Sequence, residues 1–301
     1  MEPGGCRVEA EIPLHVTGLW LPLWRPSPLE SGSLGAGLLL EPPARVVVEP
    51  CRPGRRCGLT ASTPEGELAR VPSVVAEVHR LDPATAAASV RVESPVPLGR
   101  GYAVSAVLAL AASLALLARE PWRSLEEAAR LAHVAEVEAG TGLGDVVAIL
   151  YGRGLEARLA PGAPGLARVE SVPVSAEAVT VELGGVYETS RMHRRLSWRL
   201  HGLAAPRLAR LLERPSLGLF LEEARGFALE AGFVDERAAA ALDGAVESGL
   251  ARGWYAKKNV AVVVAAPGKA EELEAQLRAA GFSRLRRLRA ASSPLRVSLH
   301  C

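Results

Sequence analysis

The sequence predicts an α+β fold, in which strands and helices occur in separate runs rather than in strict alternation. Short apolar strands dominate the first third, an uncharged helix follows at 102–118, and a strand–helix–strand run closes the chain after a long helical block. The chain has 301 residues, 49% of them hydrophobic, which suffices for one large domain or two of ordinary size. We place a domain boundary near residue 170, giving domains 1–170 and 171–301.

The first half of the chain supplies four predicted strands and two predicted helices. Runs of valine and other apolar residues predict strands over 7–13, 45–49, 74–80 and 89–94. We interpret 22–37, rich in Pro, Gly and Ser, as an ordered covering loop. The stretch 102–118 approaches the length of a membrane span, but its alanine and serine content favours a buried helix. Ser124 and the glutamates after it predict the start of a helix that runs to 139.

The second half is predicted to be helical in the middle and mixed at the end. We expect strands near 155–160, 167–174 and 178–183. The pattern is helical from 190 to 250, with breaks expected at Pro206, Pro215 and Gly232. A buried-type strand at 259–265, a helix at 269–280 and a last pair of strands within 284–299 complete the chain.

The basic residues exclude several classes of enzyme. Of 35 basic residues, three are lysines, and the first of them is Lys257. A Walker A loop, a protein-kinase strand lysine and a Schiff-base lysine are therefore excluded from the first 256 residues. The net charge of +2 argues against a general nucleic-acid binder.

Other compositional features indicate the environment of the protein. The chain contains one asparagine and one glutamine, which fits either a heat-adapted protein or a GC-rich genome; we favour heat adaptation. The N-terminus lacks a secretory signal pattern, so we expect a cytosolic location. We interpret Cys51 and Cys57 as two loop thiols and leave a disulfide or a metal role open.

The segment 97–106 (PLGRGYAVSA) is the first candidate for chemistry. It follows a predicted strand and opens the apolar helix, and its two glycines allow a ligand close to the backbone. The unpaired N–H groups of a helix start bind anions without any lysine. Ser105 lies in the first turn, where a hydroxyl can reach a phosphate or Mg²⁺. A purely structural turn is the alternative, and Val104 excludes the dinucleotide fingerprint.

The segment 136–145 (EVEAGTGLGD) is the second candidate. Carboxylates at a helix end and in a tight glycine loop, here Glu136 and Asp145, can hold Mg²⁺ and orient a hydroxyl nucleophile. The alternative is that Thr141 and Asp145 cap a short helix over 145–150.

Two further sets of residues are weaker candidates. His15 and Thr17, together with the small residues of 31–37, could line a polar pocket, although a lone histidine can also be structural. The arginines of a predicted helix either form a solvated face or bind a substrate anion. They are Arg191, Arg194, Arg195, Arg199, Arg207 and Arg210.

Taken together, these motifs resemble the GHMP kinase superfamily. The loop at 97–106 resembles its second motif, and 15–18 (HVTG), 32–37 (GSLGAG) and 140–146 (GTGLGDV) narrow the resemblance to its archaeal pantoate kinase branch. The resemblance extends through 188–190 and 215–220. It implies a ribosomal-protein-S5-like N-terminal half and a ferredoxin-like C-terminal half. It also implies phosphorylation of pantoate to 4-phosphopantoate with ATP and Mg²⁺, in archaeal coenzyme A biosynthesis.

The resemblance assigns a role to each candidate residue. Ser105 and Glu136 would hold Mg²⁺, and Asp145 would act on the attacking hydroxyl as base or orienting group. The acceptor would meet His15, Thr17 and Thr189, and we add Arg191 on chemical grounds as a partner for its carboxylate. The nucleotide phosphates would contact Pro97, Gly99, Arg100, Gly101, Ala103 and Ser105.

The sequence departs from the superfamily pattern at two places. Ala103 stands where a glycine is common, and the last glycine-rich motif is poor at 251–259. We expect Lys257 and Lys258 to supply charge to the nucleotide there.

Alternative functions stay open at this point. One is a sister kinase acting on homoserine or mevalonate, and another is a non-catalytic binder of an anion or RNA. We expect a small-molecule substrate, no nucleic acid and no membrane, and leave a homodimer open.

Overall fold

The structure, a computed structural model, describes residues 5–51, 57–183 and 189–301, and for 189–199 it describes the backbone alone. Within these ranges, twelve strands form one sheet. They are β1 (Arg7–Leu23), β2 (Gly32–Pro50), β3 (Gly58–Thr63), β4 (Gly66–Glu67), β5 (Ala88–Glu93), β6 (Leu155–Ala160), β7 (Arg168–Val172), β8 (Glu177–Glu182), β9 (Ala251–Lys257), β10 (Val260–Ala265), β11 (Leu285–Ala290) and β12 (Arg296–His300).

The helices pack against this sheet and against one another. They are α1 (Ser73–Leu81), α2 (Val104–Ser113), α3 (Ala115–Arg119), α4 (Leu125–Ala139), α5 (Asp145–Tyr151), α6 (Thr189–Glu213), α7 (Leu217–Glu230), α8 (Glu236–Glu247) and α9 (Ala270–Ala279), with a 3₁₀ turn at Pro83–Ala87. In the described ranges, none of these helices combines the length and apolar character that a membrane crossing requires.

Strand β2 is the organising element of the sheet. It pairs with β1 along most of its length, while its other edge is shared by β6, β11 and β5 in successive stretches. The sheet continues from β11 through β8 and β10 to β9, and β12 pairs with β1. Strands from the start and end of the chain therefore interleave, and the domain boundary near residue 170 stays a prediction.

The first two strands are much longer than their sequence predicts. The covering loop expected at 22–37 is wrong, because β1 runs to Leu23 and β2 begins at Gly32. Small residues in this segment allow β1 and β2 to pair closely. A local sequence pattern does not predict this pairing, because it depends on contacts between two strands.

The strand predicted at 74–80 is also wrong, since this segment is helix α1. Its valines suggested a strand, but Val74, Val75 and Val78 lie on one helical face and are buried. Helix α1 packs on α2 and α4, and this tertiary contact outweighs the β preference of valine.

The apolar stretch at 102–118 is a buried helical segment, as predicted, although it divides into α2 and α3. Side chains all round both helices are buried. Helix α4 begins with a capping box in which Ser124 and Glu127 bond each other's backbone amides.

The C-terminal half differs from the prediction in three details. Pro206 lies inside α6 and does not break it. Strand β9 was not predicted, and it forms a hairpin with β10. The last two strands do not pair with each other, because β11 pairs with β8 and β2 whereas β12 pairs with β1.

All four cysteines form disulfides. The interpretation of Cys51 and Cys57 as unpaired thiols is wrong, since they form a disulfide with each other. The other disulfide joins Cys6 to Cys301 and ties the start of β1 to the end of the chain.

Candidate active site

A glycine-containing loop leads from β5 to the N-terminus of α2. Gly101 has φ +106°, and a Cβ there would lie 2.9 Å from the carbonyl oxygen of Lys257. Ala103 precedes α2 in the left-handed conformation, with φ +57°, a region where glycine is more usual. The loop therefore delivers the free amides of α2 to a point next to strand β9.

Three other predicted residues of this loop lie in different surroundings. Pro97 is buried, whereas Gly99 is exposed. The guanidinium of Arg100 lies 3.3 Å from Glu65 and 3.7 Å from Glu182, so it ties the loop to the neighbouring strands.

Glu136 lies in the last turn of α4 and is almost completely buried, with 1% of its surface exposed. The hydroxyl of Thr141 donates to Glu136 Oε1 at 3.1 Å. Burial, followed by the negative charge of Asp145, raises the pKa of Glu136 to about 7 against the opposing effects of Ser105, Thr141 and Lys257. Among the described residues, Glu136 Oε2 has no hydrogen-bond partner.

The turn after α4 places its backbone directly against this carboxylate. A Cβ on Gly142 would contact Glu136 Oε2, so a side chain at 142 would occupy the space in front of that oxygen. Glycine at position 142 therefore keeps a side chain out of the space in front of Glu136 Oε2.

Asp145 is the first residue of α5, and three side chains converge on its Oδ1 atom. His15 Nδ1 lies at 2.7 Å, the hydroxyl of Thr17 donates at 3.3 Å, and Lys257 Nζ lies at 3.5 Å. Burial raises the pKa of Asp145, but Lys257 and His15 outweigh burial and hold this pKa well below its usual range. Asp145 is therefore an ionised carboxylate that accepts hydrogen bonds.

A series of charged and polar side chains on the strands of the sheet adjoins Asp145. His15 Nε2 lies 3.0 Å from Glu156 Oε1, and Glu156 forms an ion pair with Arg158. His15, Glu156 and Arg158 are buried. Two atoms of these charged side chains, Glu156 Oε2 and Arg158 Nε, have no hydrogen-bond partner in the described part of the protein.

These residues surround a small cavity of about 30 Å³. Its lining combines cations, hydroxyls, the Asp145 carboxylate and two apolar side chains. The lining residues are Thr17, Trp20, Ser33, Thr141, Gly142, Leu143, Gly144, Asp145, Arg158, Lys257 and Lys258.

The β9–β10 hairpin supplies both lysines. Lys257 is buried, and its ammonium lies 5.7 Å from the centre of the Trp20 ring as well as beside Asp145. Lys258 has φ +57°, and burial and the charge of Lys257 lower its pKa to about 8. The two lysines thus bring positive charge to the cavity rather than to an exposed surface.

The structure brings together six of the residues singled out from the sequence. Thr17, Asp145, Lys257 and Lys258 line the cavity, and Glu136 lies beside it. His15 is not among the lining residues, because it lies behind Asp145 and contacts its carboxylate.

Several of the predicted arginines and one threonine either lie away from the cavity or have side chains outside the described part of the protein. The side chains of Thr189 and Arg191, and those of Arg194, Arg195 and Arg199, lie outside the described residues. Arg207 and Arg210 form ion pairs with Glu223 on α7.

Three residues of the site were missed in the sequence: Trp20, Glu156 and Arg158. Strand periodicity holds a usable signal for two of them. Glu156 and Arg158 are two residues apart in a predicted strand, so they share one face, and two charges on one face of an apolar strand are unusual.

The possible metal ligands are few. Within 5–51, 57–183 and 200–301, no group of three or more His, Cys, Asp or Glu side chains could hold a metal ion. Mg²⁺ bound to a nucleotide needs only one or two protein oxygens, because phosphates and water complete its shell. Glu136, with its buried and unpartnered Oε2, and the hydroxyl of Ser105 fit that requirement.

Comparison with known proteins gives a family match and several relatives. Residues 70–153 match the N-terminal domain of GHMP kinases. The chain is 29% identical to the pantoate kinase of Methanocaldococcus jannaschii over 228 residues, which cover 75% of this chain and 81% of that protein. It is 36% identical to the pantoate kinase of Thermococcus kodakarensis over 165 residues, covering 53% of this chain and 54%, about half, of that protein.

A solved structure shares the fold over nearly the full length. A phosphotransferase related to the coenzyme A biosynthesis pathway superposes with a TM-score of 0.82 at 23% identity. The superposition covers 97% of this chain and 98% of that one.

Proposed function

Because the chain belongs to the GHMP kinase family, we propose that it transfers the γ-phosphoryl group of ATP to the primary hydroxyl of pantoate. The product is 4-phosphopantoate, in archaeal coenzyme A biosynthesis. The kinase fold and kinase activity expected from the sequence are confirmed by these relatives. The choice of pantoate rests on the pantoate kinases among these relatives, and one observation supports an acidic acceptor: a buried arginine with an unpaired N–H shares a cavity with the ionised Asp145.

Arg158 is the group that would bind the acceptor carboxylate. It is 1% exposed and lines the cavity, and its Nε has no partner in the described part of the chain. A buried N–H without a partner costs about 1–3 kcal/mol, and a bound carboxylate would remove that cost. Charged hydrogen bonds from arginine to carboxylate are among the strongest in proteins. This arrangement supports an acidic acceptor.

Asp145 would orient the attacking hydroxyl. The bond between the γ-phosphorus and the β,γ-bridging oxygen breaks, the acceptor oxygen bonds to phosphorus, and ADP leaves. The pKa of Asp145 lies well below its usual range, whereas a phosphate monoester has a second pKa near 6. The hydroxyl proton, hydrogen-bonded to Asp145 during attack, therefore passes to an oxygen of the transferred phosphoryl group.

The loop at the start of α2 would bind the ATP phosphates. Its backbone amides lie at a helix N-terminus, which favours anions. The residues assigned to this role are Pro97, Gly99, Arg100, Gly101, Ala103 and Ser105. Lys257 and Lys258 would add positive charge between the phosphates and the acceptor, since the Lys257 carbonyl lies next to Gly101 while its ammonium lies beside Asp145.

Glu136 and Ser105 would hold Mg²⁺. When bound, the ion neutralises phosphate charge. The buried and unpartnered Oε2 of Glu136 supports this assignment.

The remaining assignments are proposals of the same kind. Thr17 would contact the acceptor directly, and His15 would act through Asp145. Thr189 and Arg191 are proposed as acceptor contacts from the sequence alone. We also propose that the protein is archaeal, heat-adapted and cytosolic, and we leave a homodimeric state open.

A coupled assay of ADP release tests the proposal. The enzyme would be assayed at high temperature with ATP, Mg²⁺ and, in parallel, pantoate, homoserine or mevalonate. We expect ADP release with pantoate at a kcat/KM at least tenfold above the other two. Release with homoserine or mevalonate alone, or none with any acceptor, contradicts the proposal.

The Ser105→Ala variant tests the metal and nucleotide assignment in the same assay. Loss of its hydroxyl should raise the KM for Mg·ATP more than the KM for pantoate. Equal effects on both constants would argue against a role for Ser105 at the metal.

A further inference from the structure

We propose that Trp20 forms the wall of the acceptor cavity that determines acceptor specificity. This wall would select an acceptor in which the carbon adjacent to the hydroxymethyl group carries two methyl groups. This inference rests on the proposed function and specifies which part of the acceptor the cavity recognises. The sequence offers no motif for this residue, and its position depends on an irregularity in strand β1.

A β-bulge turns Trp20 toward the cavity. In a regular strand, Thr17 and Trp20 would face opposite sides, because they are three positions apart. The register shifts between Thr17 and Leu19, so Thr17 lies opposite Gly37 and Trp20 opposite Gly35. Gly35 and Gly37 are two residues apart on β2, and Thr17 and Trp20 therefore share the face that lines the cavity.

The bulge depends on Gly18. A Cβ at this position would lie 2.6 Å from the Phe220 ring and 2.8 Å from the Tyr255 ring. The extra residue of β1 can therefore pack against α7 and β9 only if it is glycine.

The indole ring of Trp20 is held in place by packing. It contacts Phe227 edge-on with centroids 5.0 Å apart, and it stacks on Phe233 with centroids 5.6 Å apart. Only 4% of Trp20 is exposed. A side chain fixed in this way discriminates by shape, since it cannot move aside for a different acceptor.

The lining of the cavity matches the chemistry of the acceptor. The enclosed volume of about 30 Å³ holds only a small part of that molecule, and the rest would occupy the open space that adjoins the cavity. Pantoate carries one carboxylate, two hydroxyls and, between C2 and the hydroxymethyl carbon, a carbon with two methyl groups. Arg158 and Asp145 can meet the carboxylate and a hydroxyl, whereas the apolar lining consists of Trp20 and Leu143. The two methyl groups would be buried against the indole, and each buried methyl contributes to discrimination.

The test compares two acceptors that differ in these methyl groups alone. Pantoate and 2,4-dihydroxybutanoate would be assayed with wild type, Trp20→Ala and Trp20→Phe, and the result is the ratio of their kcat/KM values. Partial unfolding of a variant cancels in this ratio, because it lowers both values equally. We expect wild type to prefer pantoate by about tenfold or more, Trp20→Ala to fall within about threefold of no preference, and Trp20→Phe to retain most of the preference.

A matched control separates the cavity wall from the general packing of the aromatic cluster. Phe227 contacts Trp20 but does not line the cavity, so Phe227→Leu should leave the ratio within about twofold of wild type. If Trp20→Ala does not fold, Trp20→Leu replaces it in the same comparison.

The outcomes distinguish the two proposals. A wild-type enzyme that uses both acceptors equally, or a Trp20→Ala ratio equal to that of wild type, overturns the inference while the proposed function stands. A wild-type enzyme that uses neither acceptor overturns both.

Discussion

Two clusters of charged residues in this protein are built differently. In the cluster around Asp145, three atoms lack a hydrogen-bond partner among the described residues, namely Glu136 Oε2, Glu156 Oε2 and Arg158 Nε. In the cluster between α6 and α7, Glu223 accepts hydrogen bonds from Arg207 and Arg210 through both carboxylate oxygens. Nearby, Asp243 accepts from Arg225 and from Trp254 Nε1.

The difference in hydrogen-bond pairing distinguishes a buried cluster that can bind a ligand from one that stabilises the fold. A buried polar atom without a partner lowers stability, so it persists where a ligand can satisfy it. The helix cluster has its hydrogen bonds formed within the protein and stabilises the packing of α6 on α7. The cluster around Asp145 has spare hydrogen-bonding capacity next to a cavity, which is what an active site needs.

Replacing Asp145 should have the largest effect on catalysis. Asp145→Ala deletes the carboxylate on which His15, Thr17 and Lys257 converge, so we expect kcat to fall by about 10³-fold with little change in fold. Steady-state kinetics and circular dichroism would measure the two effects.

Asp243→Ala is the matched control for this variant, since Asp243 is a paired carboxylate away from the cavity. It should lower the melting temperature and leave kcat nearly unchanged. A near-normal rate in Asp145→Ala would remove Asp145 from the catalytic machinery.

Replacing Arg158 should affect one substrate selectively. Arg158→Met removes the charged group proposed to bind the acceptor carboxylate, so the KM for pantoate should rise by about 10²-fold while the KM for ATP stays within about twofold. Arg158→Lys keeps the charge but loses the planar fork, and it should fall between wild type and Arg158→Met. Equal increases in both KM values would assign Arg158 a structural role.

Breaking the helix cluster should change stability and not catalysis. Glu223→Gln weakens the hydrogen bonds to Arg210 and Arg207, and we expect a loss of about 2 kcal/mol in the free energy of unfolding at pH 7. Thermal unfolding measures the loss, and an ADP-release assay below the unfolding temperature should give a wild-type kcat.

The pH dependence of this loss follows from the pKa of Glu223. The hydrogen bond from Arg210 lowers it, against the effect of burial, so the ionised form stabilises the folded state. That contribution is present above the unfolded-state pKa of about 4.3 and disappears as pH falls through the lower, folded-state value. The difference in melting temperature between wild type and Glu223→Gln should therefore narrow below about pH 4, and a constant difference would contradict this explanation.

The smallest effect is expected from a substitution at Ala103, in the loop that precedes α2. Ala103 has φ +57°, which costs a residue with a Cβ about 1 kcal/mol. Ala103→Gly should therefore raise the free energy of unfolding by up to about 1 kcal/mol, offset by the greater flexibility of glycine in the unfolded chain. The KM for ATP should stay within twofold of wild type. A loss of stability would show that the Ala103 side chain, which is buried, contributes more by packing than its backbone costs.

Local sequence patterns predicted the parts of the site that lie within single segments. The helix start at Ser105, the helix end at Glu136 and the glycine run before Asp145 each occupy one continuous stretch, and each forms as predicted. Local patterns failed for α1, where valines predicted a strand, because the choice there depended on packing against α2 and α4.

By itself, the sequence determined the α+β class, the loop at 97–106 as a candidate phosphate site, and the residues Glu136 and Asp145 as candidates for chemistry. Only the tertiary structure decided which side chains meet Asp145 and what forms the proposed acceptor cavity. Trp20, Arg158 and Lys257 come from β1, β6 and β9, which are far apart in the chain. A period of two places a side chain on a face of its strand, but strand pairing and a bulge at Gly18 decide which face meets the cavity. Those pairings depend on contacts between distant segments, and no local pattern encodes them.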